Sequence, residues 1–197
     1  MIISSIEKTG KYKSLIKFDD GRKLVLKTSE AESLNLEENS EMPEEIYERI
    51  LSNIIYPRAK EKVIRLLSAR SRTMTELADR LKRDYYDESV IDKIEEWVNE
   101  YNFVNDDNYI YQYYMSNKGK KGMCMMEHEL SNKGISKEAF RNYLEKNDID
   151  SDEEEVMAIK KLCEKIIGID MEYNEKQKHI AKLVRKGFWL GNIKKVL

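Results

Sequence analysis

Two prolines and eight glycines in 197 residues are too few to turn the many tight loops of a β-sandwich or barrel, so the scarcity of chain-breakers argues for helix. Cysteine is equally sparse. Cys124 and Cys163 form no closely spaced pair, so no disulfide is expected, and each reads as a small apolar core residue. With two histidines in the whole chain, a zinc site would need more ligands than Cys124 and His128, four apart on one helical face, can supply; no metal is expected. No apolar run approaches the roughly 18 residues that span a bilayer, and Met1 to Thr9 lacks the apolar core of a signal peptide. A cytoplasmic protein without membrane contact is the expectation. There is neither a glycine-rich phosphate loop nor a nucleophile elbow, and the acid pairs Asp19–Asp20 and Asp106–Asp107 fall at turns or helix starts. No enzyme and no cofactor are expected.

Charge, by contrast, is plentiful. Asp, Glu, Lys and Arg make up 37% of the chain yet nearly cancel, to −2, as in exposed helices laced with ion pairs. The distribution is uneven: Glu30 to Glu48 holds eight acids and no base, whereas Asn174 to Leu197 holds seven bases and one acid. A segment as basic as the latter can approach a polyanion even within a slightly acidic protein.

The β-prone runs IISSIE, SLIKF and KLVLK occupy the start, and Asp20–Gly21 between the last two is a favoured hairpin turn. Residues 1–30 are therefore expected to form a small β-hairpin or three-stranded unit packed on a helical body. Residues 31–57 read as an exposed acidic connector running into a helix that begins near Pro43. From Arg58 the apolar spacing becomes helical, through Ala59, Val63 and Leu66, then Met74, Leu77 and Leu81, then Val90, Ile91, Ile94 and Val98. Thr73 with Glu76 three residues on makes a capping box, and Asp87 caps the next helix.

This three-helix pattern recurs. With Leu81, Leu130 and Leu183 in register, Tyr85, Gly134 and Gly187 coincide at a helix end, Tyr86, Ile135 and Phe188 just beyond it, and Ile91, Phe140 and Ile193 ten residues after the leucines. Glycine at such an end adopts the left-handed conformation that closes a helix, so Tyr85 must accept strain or end its helix differently. The expected fold is mainly all-α, with three tandem three-helix repeats over 58–104, 105–147 and 148–197 stacked into an elongated, curved body. DIDSDEEE, Asp148 to Glu155, reads as an acidic linker whose later part favours the next helix N-terminus. Tyr109, Tyr111, Tyr113 and Tyr114 sit together, but Tyr113 and Tyr114 face the same helix side as Ile110, a core spacing that favours packing over base stacking; Trp97 and Trp189 read as core or inter-repeat residues, and Met123, Met125 and Met126 as filler.

LLSARSRTMTELADRL, followed by YYDESVIDKIEEWVNEYNFVNDDNYIYQYY, resembles the central signature of the RecX family. The matching features are Arg70 and Arg72 before a helix, the pair Glu76–Leu77, and Phe103 followed by Asp106 and Asp107; NKGKKG and LSNKGIS also fit. The chain departs from the family at Asn117, where an arginine is usual, and lacks a proline between Gly122 and Met123. The resemblance, over roughly Arg58 to Leu197, implies tandem three-helix repeats that lie in the groove of RecA filaments and alter, usually by inhibiting, filament growth, ATP turnover and strand exchange. It also implies RecA as partner, DNA contacted weakly if at all, and a monomer. Candidate contacts to RecA or DNA are the cations around each middle helix: Arg70, Arg72, Arg80, Lys82 and Arg83; Lys118, Lys120, Lys121 and Lys133; and Lys182, Arg185, Lys186, Lys194 and Lys195. The alternatives are an ordinary solvated face, a helical DNA-binding regulator acting without RecA, or a scaffold for another protein.

Overall fold

Asp20 and Gly21 turn the chain between two strands: Gly21 takes a φ of +88°, and Asp20 accepts the Arg22 N–H at 3.1 Å. In the computed structural model, which describes residues 1–169 and 172–197, the hairpin belongs to an antiparallel three-stranded sheet of β1 (Ile3–Gly10), β2 (Lys13–Phe18) and β3 (Lys23–Lys27), in that order. Ile6 pairs with Ile16 and Ile16 with Leu24, and no strand follows Arg58 among the described residues. The rest is helical. The chain divides into two units, residues 1–104 and 105–197.

In the first unit the acidic stretch is largely exposed, as expected, but it is tied to the sheet and to Arg58. Helix α1 (Thr28–Ser33) opens it, with Glu30 accepting the Lys27 N–H at 2.8 Å and pairing with Arg58 at 2.5 Å. Beyond α1 the backbone bonds to β1 through Asn39 and Ser40, and Met42 is buried. Most acids of the stretch do face solvent, but Glu30, Glu38 and Glu44 have partners far along the chain in Arg58, the Ile6 N–H and Arg22. Helix α2 (Glu44–Ile50) begins after Pro43 as expected, yet it continues through a π-helical turn, Leu51–Ile55, into α3 (Tyr56–Ala69) without a break. Pro57 lacks an N–H and its ring crowds the preceding turn; the wider π turn just before it accommodates both effects.

Helices α4 (Met74–Arg83) and α5 (Glu88–Glu100) complete this unit, capped by Thr73, which accepts the Glu76 N–H, and by Asp87, which accepts the Ser89 N–H. Sheet and helices share one core: Ile16, Phe18, Leu24 and Leu26 pack in the same cluster as Ala59, Val63, Leu77, Leu81 and Ile94. Asp87 also accepts the Lys23 N–H at 3.2 Å, tying β3 to the start of α5.

The second unit contains α6 (Asp106–Asn117), α7 (Met123–Ser131), α8 (Lys137–Lys146), α9 (Ser151–Cys163), α10 (Tyr173–Arg185) and α11 (Leu190–Val196). Two apolar clusters serve them, one around Ile110, Met126, Leu130 and Phe140, the other around Ile159, Cys163, Leu183 and Ile193. DIDSDEEE is mostly helix: Asp150 caps α9, and Glu155 lies buried on it.

Helices α4, α7 and α10 end in the same way. The carbonyls of Leu81, Leu130 and Leu183, all buried, accept the N–H of Tyr86, Ile135 and Phe188 at 3.2, 3.1 and 3.2 Å, and the intervening Tyr85, Gly134 and Gly187 have φ of +68°, +85° and +82°. Tyr85 thus carries the strain expected of it; the other non-glycine residues with positive φ are Asn or Asp, which tolerate it better. Because Tyr85 is 42% exposed, replacing it removes little packing. Tyr85→Gly is expected to raise stability by up to about 1 kcal/mol, the left-handed strain relieved minus glycine's extra unfolded-state entropy. A denaturant midpoint equal to or below that of the parent protein would show that the turn is not strained.

Candidate functional site

The first group of candidate cations surrounds the start and end of α4. Arg70, at the end of α3, meets Glu76 at 3.5 Å, Arg72 donates to the Leu66 carbonyl, and Arg83 donates to the Asp79 carbonyl. Lys82 pairs with Glu88 at 3.0 Å, which raises its pKa. Arg80 shares Asp84 with Lys13 and Lys62, so a carboxylate sits amid three cations from β2, α3 and α4. Lys13 and Lys62 were not among the candidates, since only the fold brings the strand to α4.

The second group is largely engaged within its own unit. Lys118 pairs with Glu154 at 2.8 Å, and Lys121 reaches both oxygens of Glu129 at 2.6 and 2.8 Å. Glu129 also accepts the Tyr113 hydroxyl; the lysine and then the tyrosine hold its pKa below the ordinary carboxylate range, while burial and this carboxylate push the phenol up. Lys120 donates to the Ser116 carbonyl, and Lys133 lies 6.0 Å from the centre of the Tyr109 ring. These lysines mostly stabilise α6 and α7 in place.

The third group differs. Lys182 and Arg185 are exposed on α10, Lys186 is half-buried, and Lys194 and Lys195 stand exposed on α11. None of the five has a carboxylate within ion-pair distance among the described residues; Arg185 donates to the Ala181 carbonyl, and Lys195 to the Asn192 side chain at 2.8 Å. Lys182 and Lys186 line one cavity, Arg185 does not, and Lys182 sits close enough to Cys163 to oppose the rise in thiol pKa that burial causes. Val184 is 46% exposed while Leu183 beside it is buried, so the apolar face of α10 is narrow.

Other expectations need correction. Trp189 is 61% exposed; its place is fixed by its backbone, which caps α11 and donates to Glu155 at 2.9 Å. Trp97 is half-buried and packs edge-on against Phe103. Cys124 is exposed rather than a core residue, and both thiols are free. Tyr114 is buried and Tyr113 half-buried, as their spacing with Ile110 implied; Tyr109 is buried too, whereas Tyr111 is exposed.

Sequence reasoning missed Glu155. This buried carboxylate, on α9, accepts the N–H of Met123 at 2.7 Å, the N–H of Trp189 at 2.9 Å and the Asn192 amide at 3.1 Å, so one side chain caps the first turns of α7 and α11. Beside it Gly122 donates to the Lys186 carbonyl at 2.9 Å and packs backbone to backbone on Gly187. Within an acidic run, nothing in the residue type marks Glu155 as the inward-facing one except its helical phase with Ala158 and Ile159.

A model of the first three-helix domain of RecX matches residues 59–94. Over 202 aligned residues the chain is 31% identical to regulatory protein RecX of Caldanaerobacter subterraneus subsp. tengcongensis, covering 100% of this chain and 98% of that protein. Regulatory protein RecX of Clostridioides difficile is 28% identical over 170 residues, 84% of this chain and 78% of its own length. In fold, the chain is similar to a crystal structure of regulatory protein RecX, with a TM-score of 0.65 at 21% identity over 100% of this chain and 98% of that one. It is also similar to RecX from Lactobacillus salivarius, with a TM-score of 0.57 at 24% identity over 71% and 92%.

Proposed function

Because the chain belongs to the RecX family of regulatory proteins, we propose that it binds RecA filaments noncovalently and restrains their assembly, ATP turnover and strand exchange. Residues 58–104, 105–147 and 148–197 act as three repeats in this reading, and RecA, DNA and ATP are the context of the action. The observation that carries it beyond the family is the cationic end of α10 and α11. A cation already paired with a neighbouring carboxylate has little left to offer a polyanion, whereas Lys182, Arg185, Lys186 and Lys194 have no such partner among the described residues. A filament of protein and DNA presents acidic side chains and phosphates that these groups can meet.

The direct test follows ATP hydrolysis by RecA on single-stranded DNA as this protein is added. Hydrolysis is expected to fall, and no change at several-fold excess would overturn the proposal. The triple variant Lys182→Glu, Arg185→Glu, Lys186→Glu removes no buried apolar group, so its circular dichroism and melting temperature are expected to stay near the parent's. Its potency is expected to drop at least about tenfold at low salt and to depend less on salt, since fewer counterions are displaced. A folded triple variant with unaltered potency and salt dependence would place the filament contact elsewhere.

A further inference from the structure

The cavity that Lys182 and Lys186 line lies within the second unit, between the C-terminal end of α9 with the turn that follows it and one face of α10. It has a volume of about 240 Å³. Lys161 and Lys165 face it from the α9 side at a spacing of four; His179, Lys182 and Lys186 face it from α10 at spacings of three and four. Its apolar wall is Leu162, Cys163, Ile166 and Leu183.

Four lysines therefore line one concavity, and none has a carboxylate partner among the described residues. Glu164 is the one acid among the described lining residues, and it pairs with none of them. Elsewhere in this unit lysines are neutralised locally, as Lys118 is by Glu154 and Lys121 by Glu129. Four like charges gathered around one concavity repel, and an anion that enters it relieves that repulsion. The anion has to be compact, because the space is concave rather than a flat groove, and multiply charged, to satisfy opposed lysine pairs. An apolar wall behind the charges suits a ring or sugar attached to that anion. Lysine meets phosphate as a mobile point charge, which fits a group whose oxygens can be approached from two sides.

We propose that this cavity binds the phosphate groups of a nucleotide, carried either by a free nucleoside polyphosphate or by a DNA strand. Lys161 and Lys165 hold the phosphates from one side, Lys182 and Lys186 from the other, and the base or sugar lies along Leu162 and Ile166. The site needs no RecA to operate, so it stands or falls separately from the filament reading.

The test is calorimetric titration of the full chain, without RecA, using sodium pyrophosphate, ADP, ATP, a 12-nucleotide single strand and an oligoglutamate peptide. The double variant Lys161→Glu, Lys165→Glu reverses two cavity lysines that are not among the filament candidates. Its control, Lys160→Glu, Arg185→Glu, makes the same charge change at two exposed residues of the same unit that do not line the cavity. Binding of pyrophosphate and ATP at least tenfold weaker in the first variant, and within about twofold of the parent in the control, is the expected result. Tighter binding of ATP than of the oligonucleotide assigns the site to free nucleotide, the reverse order assigns it to DNA, and either supports the proposal. A second readout is alkylation of Cys163, expected to slow with bound pyrophosphate while exposed Cys124 reacts at an unchanged rate. Absence of binding by every phosphate compound at millimolar concentration would overturn the proposal, as would equal weakening in both variants or binding of the peptide alone.

Discussion

Gly122→Ala is expected to cost the second unit at least about 3 kcal/mol, at the upper end of what one added methyl does in a packed interior. The backbone conformation at Gly122, φ −77° and ψ 162°, suits any residue, so the penalty is purely one of space. A β-carbon there would lie 2.2 Å from the carbonyl carbon and oxygen of Gly187 and 2.3 Å from the Phe188 nitrogen, all backbone atoms that no rotamer change can move aside. Relief requires α7 to back away from the end of α10, which would also stretch the 2.9 Å hydrogen bond from Gly122 to the Lys186 carbonyl. Gly119→Ala is the informative control. Its φ is +75° but nothing stands within 4 Å, so only about 1–2 kcal/mol of backbone strain is expected. Urea titration followed by Trp189 fluorescence in a Trp97→Phe background reads the second unit selectively. Equal midpoints for the two alanine variants would show that the glycine-on-glycine contact is not tight.

Glu155→Ala is expected to be costlier still, about 3–5 kcal/mol, because it strands donors rather than merely removing a bond. The amides of Met123 and Trp189 and the side chain of buried Asn192 all point at this carboxylate, and an alanine offers them nothing. Water cannot substitute without opening the ends of α7 and α11. Glu155→Gln is expected to recover only part of the loss: one carboxylate oxygen serves Met123 and the other serves Trp189 and Asn192, so the amide must turn its NH₂ towards a donor on one side or the other. The negative charge that favours two helix N-termini is lost as well. Hydrogen exchange at the Met123 and Trp189 amides gives the site-specific check. If both amides remained as protected in Glu155→Ala as in the parent protein, the clip would not be holding those helix ends.

The residues that could be read from sequence are those whose signal is local. Asp20–Gly21 specified a hairpin through its own conformational preference, Thr73 with Glu76 closed a capping box as the spacing implied, and the three leucine registers placed the left-handed residues 85, 134 and 187 correctly. What escaped depends on partners distant in sequence. Glu30 looked like solvent-facing acid until Arg58 came to it, and Glu155 looked like a linker residue until two helix ends, 32 and 34 residues away, were seen to share it. Trp189 failed in the opposite sense: a large aromatic ring is usually a burial signal, but here its backbone holds the position and the ring lies out. The cationic candidates were sorted in the same way. Sequence places Lys182, Arg185 and Lys186 at one helix end, but the partners that neutralise Lys118 and Lys121, and the lysines of the α9 side that join Lys182 and Lys186, come from other parts of the chain.

The Glu155 clip also sets an order in time. The chain is made from its N-terminus, so Met123 is synthesised 32 residues before the carboxylate that completes its helix end, a delay of roughly two to six seconds at ordinary elongation rates. Trp189 and Asn192, which fill the remaining sites on that carboxylate, arrive later still. The first turn of α7 therefore stays uncapped until Glu155 has been made, and Gly122 stays uncovered until Lys186 and Gly187 have followed. Slow codons or a pause within residues 156–188 would prolong this interval, and it is then, rather than in the finished protein, that the second unit is most exposed to proteases and to capture by chaperones.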